Sequence, residues 1–170
     1  MIIWITGLPG SGKTTLAKNL KTILGIKYSN NIVLLDGDNI RNILPYQLSY
    51  TNDERKKLAL FYSKLALLIE SGDCIVICSF VALFHHVQKH TRSKANDYFE
   101  IFLDPSLDEL IKKNKKELYL KDSEYMLKQF NKHEFPKNPD LRLNTIINGV
   151  YQDHMTEITQ KLFKRMQLFT

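Results

Sequence analysis

The string Gly7-Leu-Pro-Gly-Ser-Gly-Lys-Thr14 constrains this chain more than any other. It reads G-x-x-x-x-G-K-T, after an apolar run from Ile2 to Ile5 and before a helix-compatible run from Leu16 to Leu24. Strand, glycine-rich loop and helix in that order make a phosphate-binding loop. Glycines let successive backbone N–H groups turn inward around phosphate oxygens, and the helix N-terminus adds a favourable dipole. Gly7, Leu8, Pro9, Gly10, Ser11, Gly12, Lys13, Thr14 and Thr15 are therefore expected to hold a nucleoside triphosphate. Lys13 is expected to reach the β- and γ-phosphates, and the Thr14 hydroxyl to hold Mg²⁺.

The rest of the chain is expected to build one domain around that loop. A length of 170 residues is enough to bury an adequate core, so residues 1–170 read as a single domain. The net charge of +6 comes from scattered lysines, with a dense cluster only from Lys112 to Lys116. A solvated basic face, or a site for anionic nucleotides, accounts for it. A nucleic-acid-binding ATPase is the competing class, and it would need a basic stripe interleaved with stacking aromatics. The expectation is no nucleic-acid partner. No apolar run approaches the ~20 residues of a membrane span, and the start lacks a signal pattern, so no membrane partner and a cytoplasmic location are expected. Cys74 and Cys78 bracket an apolar run and are expected on one face of a strand as buried thiols. A zinc site would need a second Cys/His pair at finger spacing, which the sequence lacks.

Apolar runs at Ile2–Ile5, Ile32–Leu35, Cys74–Cys78 and Tyr98–Leu103 predict buried parallel strands, with a shorter candidate at Leu141–Thr145. Helical patterns cover Thr14–Leu24, Asp53–Ser71, Leu107–Lys115 and Val150–Leu168. In the second, Leu58, Phe61, Leu65 and Leu68 fall at helical spacing, with Gly72 as the stop. In the last, Met155, Ile158, Leu162 and Met166 make an apolar stripe for the core. Alternation of this kind predicts an α/β fold, a central parallel sheet of about five strands with helices on both faces. In such sheets ligands gather beyond the carboxyl ends of the strands. The residues to watch are then Gly7–Thr14, Asp36–Arg41 and Ser79–His86.

Asp36-Gly-Asp-Asn-Ile-Arg41 places two carboxylates at the end of the second strand, facing the phosphate loop. In phosphoryl transfer one carboxylate can orient the acceptor hydroxyl and take its proton, while another helps hold Mg²⁺ through water. The planar fork of Arg41 suits a phosphate or sulfate on the acceptor. A solvated Asp-Gly turn is the bland alternative.

Gly7 to Thr15 followed by Leu35-Asp-Gly-Asp-Asn-Ile-Arg41 resembles the adenylylsulfate kinases, P-loop kinases with the P-loop NTPase fold. The resemblance continues through Leu48-Ser-Tyr-Thr51, Arg55, Ser79-Phe80, Lys116-Glu-Leu-Tyr119 and Asn138-Pro-Asp-Leu141 with Thr145. It implies ATP and Mg²⁺ as cofactors and transfer of the γ-phosphoryl group to the ribose 3′-hydroxyl of an anionic nucleotide. By the same resemblance Lys13, Asp36 and Asp38 are the catalytic residues, and Mg²⁺ is held by Thr14 and, through water, by Asp36. Arg41, Tyr50, Arg55, Ser79, Phe80 and Lys116 line the acceptor site beside the two acids, with Tyr50 stacking on the base. Homodimers are frequent in this family.

The departures from the family pattern lie on the acceptor side. Where the family carries an Asn and two Arg after Arg55, this chain has Leu58, Leu60 and Phe61. After Ser79-Phe80 the basic series is reduced to Arg92, and the family's Phe-Thr-Gly-Ile is replaced by Phe130-Asn-Lys-His133 in a shorter segment. A pocket built of hydrogen-bonding groups discriminates strongly against a mismatched ligand. The pattern is similar to the family variant that phosphorylates cytidine diphosphoramidate on the route to capsular phosphoramidate; a true adenylylsulfate kinase is the alternative. A regulatory GTPase is not expected: no Asp stands three residues before a glycine, and Asn114-Lys-Lys-Glu117 ends in Glu and does not follow a strand. His85 and His86 are expected in an extended surface lid, where they would contact phosphates.

Overall fold

The computed structural model describes residues 1–28, 31–46, 51–112, 133–144 and 152–167. Five strands pair in parallel: β1 (Ile2–Gly7), β2 (Ile32–Asp36), β3 (Ile75–Phe80), β4 (Tyr98–Leu103) and β5 (Leu141–Leu143), in the spatial order β2-β3-β1-β4-β5. Between them run α1 (Lys13–Tyr28), α2 (Gly37–Asn42), α3 (Asn52–Glu70), α4 (His85–Lys94) and α5 (Leu107–Lys112), and α6 (Gln152–Gln167) follows β5. This is the P-loop fold that the loop and the strand–helix alternation predict.

β1 is buried along its whole length, which is why its sequence is a continuous apolar run rather than an alternating one. Odd-numbered side chains Ile3 and Ile5 join Ile77, Phe99 and Ile101 under Leu16, Leu20 and Leu24 of α1 and Ile158 and Leu162 of α6. Ile2 and Trp4 face the opposite way, with Val76, Cys78 and Phe80, under Leu58, Tyr62 and Ala66 of α3 and Val87 of α4. Each fully buried aliphatic side chain contributes roughly 1.5–3 kcal/mol of transfer free energy. The sheet is thereby clamped from both faces. Its register aligns Gly7 with Leu103, Thr6 with Phe80, and Asp36 with Ser79. The carboxyl ends of four strands finish at one level, and the loops leaving them share one rim.

Several local expectations need correction. β3 starts at Ile75, so Cys74 stands just outside it and is partly exposed, whereas Cys78 is buried. Burial holds the Cys78 thiol well above the ordinary cysteine range. The inward face of α3 is also rotated from the one that hydrophobicity picks out. Leu58 is buried, but Phe61 is 43% and Leu68 71% exposed, while Ala59, Tyr62, Ser63, Ala66 and Glu70 turn inward. The reason lies in what α3 packs against. Ser63 accepts a hydrogen bond from Thr91 of α4 at 2.8 Å, and Glu70 receives the amides of Asn96 and Asp97 and the Met1 ammonium group. Small and hydrogen-bonded residues therefore occupy the closest contacts, and two large apolar ones are left outside.

His85 and His86 open α4 rather than an extended lid, so the pair does not point in opposite directions along a strand. Asp36-Gly37 is not a loop turn either: Asp36 is the N-cap of α2, its carboxylate accepting the Asp38 amide at 3.0 Å. The turn into β3 takes its left-handed residue at Asp73 (φ 58°), one position beyond the expected Gly72 stop. Tyr50, Lys116 and Thr145 lie outside the described residues, as does the stretch from 113 to 132.

Candidate active site

The loop after β1 is shaped by glycine at the positions that demand it. Gly7 sits at φ 153°, and a Cβ there would lie 2.5 Å from the backbone oxygen of Leu103 and 2.8 Å from Oγ of Ser11. Only a residue without a side chain lets β4 and the loop close on it. Gly10 and Gly12 also take positive φ, at 77° and 91°. Ser11 donates its amide to the carbonyl of Leu8 at 3.2 Å to close the turn, and the Leu16 amide reaches Gly12 to begin α1. Leu8 is anchored below among Leu83, Phe102 and Leu110. Lys13 curls back across this loop: its Nζ donates to the Leu8 carbonyl at 2.7 Å and lies 3.5 Å from Oγ of Ser11. The result is a tight glycine-rich turn with an ammonium group across its mouth, a natural anion site. Thr14 and Thr15, in the first turn of α1, are exposed beside it.

Two strand ends meet at Thr14. Its Oγ1 donates to Oδ2 of Asp36 at 2.7 Å and stands 3.5 Å from Oγ of Ser79. Asp36 is 6% exposed, and Ser79 is 3% exposed. The other Asp36 oxygen is taken by the Asp38 amide, so a single buried carboxylate joins the phosphate loop to the start of α2. One turn later Arg41 is paired with Oδ1 of Asp38, both side chains reaching toward solvent. Thr14, Asp36, Ser79, Asp38 and Arg41 thus form one connected group. Phe80 lies beneath rather than within it: 1% exposed, its ring stands edge-on to Trp4 at 5.3 Å and is stacked on Tyr62 at 4.2 Å with an interplanar angle of 7°.

Two further residues converge here without having been singled out by the sequence. Tyr62 is 4% exposed and donates its hydroxyl to the carbonyl of Gly37 at 3.4 Å. Burial raises this phenol above its ordinary value; Arg41 opposes the shift, and Asp38 and Asp36 add to it. A tyrosine directly after an apolar run reads as core, and nothing local distinguishes it. His133 is held down to about 4, chiefly by burial and then by the charges of Arg55 and Lys13. Arg55, in the first turn of α3, and the loop lysine therefore both act on one imidazole. The segment carrying His133 is strapped to the start of α4. The Glu134 amide donates to the Leu83 carbonyl at 3.0 Å, and Nε2 of His85 lies 2.8 Å from the Phe135 carbonyl. Phe135 packs on Phe102 with ring centroids 5.6 Å apart, next to Leu8. His85 thus acts as a fastening for this strap.

The oxygen donors at Thr14 and Asp36 fit a small hard cation that keeps most of its shell as water and phosphate. Among the described residues no three His, Cys, Asp or Glu side chains converge as a dedicated metal cage. No described helix is long and apolar enough to cross a membrane.

Known proteins are similar to this chain in sequence and fold. The family profile described as adenylylsulphate kinase matches residues 1–144. The cytidine diphosphoramidate kinase of Campylobacter jejuni is 32% identical, over 98% of this chain and 96% of its own. An adenylyl-sulfate kinase of Prochlorococcus marinus is 34% identical, over 96% of this chain and 84% of its own. The structure of the Mycobacterium tuberculosis APS kinase CysC in complex with AMPPNP and APS superposes with a TM-score of 0.75 at 26% identity, covering 95% of this chain and 96% of that one. With a phosphate loop, a buried acid bonded to its threonine and a family match over most of its length, this chain belongs to the adenylylsulphate kinase family of ATP-dependent phosphotransferases.

Proposed function

We propose that this protein transfers the γ-phosphoryl group of ATP to the ribose 3′-hydroxyl of an anionic nucleotide, and that its acceptor is cytidine diphosphoramidate. The observation that carries the reaction type is the hydrogen-bonded path from Thr14 through Asp36 and the Asp38 amide, with Arg41 paired to Asp38. It joins a donor site to a carboxylate–arginine pair with no gap between them. In this reading the loop amides and Lys13 gather the triphosphate, whose transferring group develops charge that fixed N–H donors and an ammonium group stabilise. Thr14 and Asp36 would hold Mg²⁺, which supplies charge neutralisation at the phosphates. Both Asp36 oxygens are already engaged, whereas Asp38 is exposed at the start of α2. In this reading the solvent-facing Asp38 carboxylate takes the acceptor hydroxyl's proton, and Arg41 faces the acceptor's phosphate.

The choice of acceptor rests on α3. Leu58, which replaces a polar residue of the family pattern, is packed in the core with Ile40 and Phe80, and Leu60 packs against the same cluster. These positions offer no hydrogen bonds to a ligand, so contacts that favour adenylylsulfate in the family pattern are missing. Similarity to the Campylobacter jejuni enzyme over nearly all of both chains supports the same reading. Adenylylsulfate is the second reading, favoured by the family profile and by the Prochlorococcus marinus relative.

A coupled ADP-release assay with ATP, Mg²⁺ and each acceptor in turn separates the two. Turnover of cytidine diphosphoramidate at least about tenfold above adenylylsulfate, judged by kcat/KM, is the expected result. Efficient use of adenylylsulfate alone would overturn the acceptor assignment while leaving the kinase reading intact.

A further inference from the structure

We propose that Tyr62 is a positioning residue for the acceptor side of this site, holding the Asp36-Gly37-Asp38 segment and the Arg41 guanidinium in their working arrangement. The proposal rests on the kinase reading above and adds a residue to it. Its geometric basis is a layered stack. A Cβ on Gly37 would stand 3.1 Å from Nη1 of Arg41, 3.4 Å from Cδ1 of Phe80 and 3.5 Å from the Ser79 carbonyl. The Gly37 peptide is therefore packed between the guanidinium and the aromatic ring. The Tyr62 ring lies parallel on that same Phe80 ring, and its hydroxyl reaches the Gly37 carbonyl.

A phenol has one proton to donate and lone pairs to accept with. Here the proton goes to Gly37, and the Arg41 guanidinium, set against the same Gly37 peptide, lies close enough to oppose the rise that burial gives the phenol. Arg41 is then held on one side by the Asp38 carboxylate and lies on the other against the Gly37 peptide that the phenol fixes. Such a guanidinium keeps its remaining donors aimed outward for an anion. The two residues before Tyr62 in sequence make the same point. Leu60 and Phe61 withdraw polar contacts from the acceptor side, and Tyr62 returns one from beneath, through backbone and Arg41 rather than by touching the ligand.

Tyr62→Phe isolates the hydroxyl, since the ring and its stack on Phe80 remain. Hydrogen exchange of the free protein is the first readout and needs no substrate. Exchange at the Asp38 amide, now protected by its bond to Asp36, should rise about tenfold while amides in β1 and β3 stay unchanged. Kinetics are the second: KM for the nucleotide acceptor should rise about tenfold, with KM for ATP within about twofold. Thermal stability separates a general packing defect from this local effect, and a drop of melting temperature with uniform loss of protection would overturn the proposal. So would Asp38 exchange and acceptor KM both at wild-type values. If the wild type uses neither acceptor, both acceptor readings fail, and the exchange measurement still decides whether Tyr62 fixes this segment.

Discussion

The hydroxyl of Thr14 donates to the carboxylate of Asp36 across 2.7 Å, joining the first turn of α1 to the end of β2. Asp36 is buried, so the bond works where water competes poorly and where its loss leaves a carboxylate oxygen unsatisfied.

Thr14→Val preserves shape and removes that donor. The expected outcome is about a hundredfold loss of kcat and a stability decrease of about 1–3 kcal/mol. Thr14→Ser, which keeps the hydroxyl, should stay within about threefold of wild type in the same steady-state assay. Equal rates for the valine and serine variants would remove Thr14 from the site.

Gly7→Ala meets two obstacles at once, a φ of 153° and a backbone oxygen 2.5 Å from the new methyl group. Neither can yield without shifting β4 against β1. A destabilisation above about 3 kcal/mol is expected by urea titration, with loss of ATP binding by calorimetry. An alanine variant of wild-type stability would mean that the loop takes another path.

His133 gives the stability curve a definite sign. Its folded value of about 4 lies below the ordinary 6.5, so between those limits the unfolded chain binds more protons than the native one. Stability should therefore decrease as pH falls from about 7 toward 4, with no contribution above that window. His133→Gln removes the titration. Its melting temperature should drop by about 3 °C less than that of wild type over the same interval, followed by scanning calorimetry. Parallel curves would show that His133 titrates as in the unfolded chain.

Much of this site was legible from short strings, because the physics there is local. A phosphate loop demands glycine, lysine and threonine at fixed offsets, and Asp36 to Arg41 follow a strand whose apolar run is plain. The strand ends were legible for the same reason, since burial on both faces leaves a continuous apolar signature in Ile2–Ile5. What stayed hidden depends on partners distant in sequence. The inward face of α3 is set by Thr91, Asn96 and Asp97, 26 to 28 residues beyond the positions they bind. Tyr62 becomes an acceptor-side residue only because Phe80 and Gly37 arrive from other elements. His133 acquires its shifted proton affinity from burial and then from Arg55 and Lys13, and no neighbour in the string foretells that.

The meeting of Thr14, Asp36 and Ser79 has a consequence for how the chain reaches its working form. These residues come from three segments, the partners of Thr14 standing 22 and 65 positions away. None of the contacts can form until β1, β2 and β3 have paired side by side, and parallel pairing with crossovers is among the slower events of folding. A chain that has made its helices and only part of its sheet has a glycine loop but no completed centre. Such a chain cannot spend nucleotide. Recovery of activity after dilution from denaturant should therefore trail the return of helical signal, and the last strand to dock switches the catalyst on.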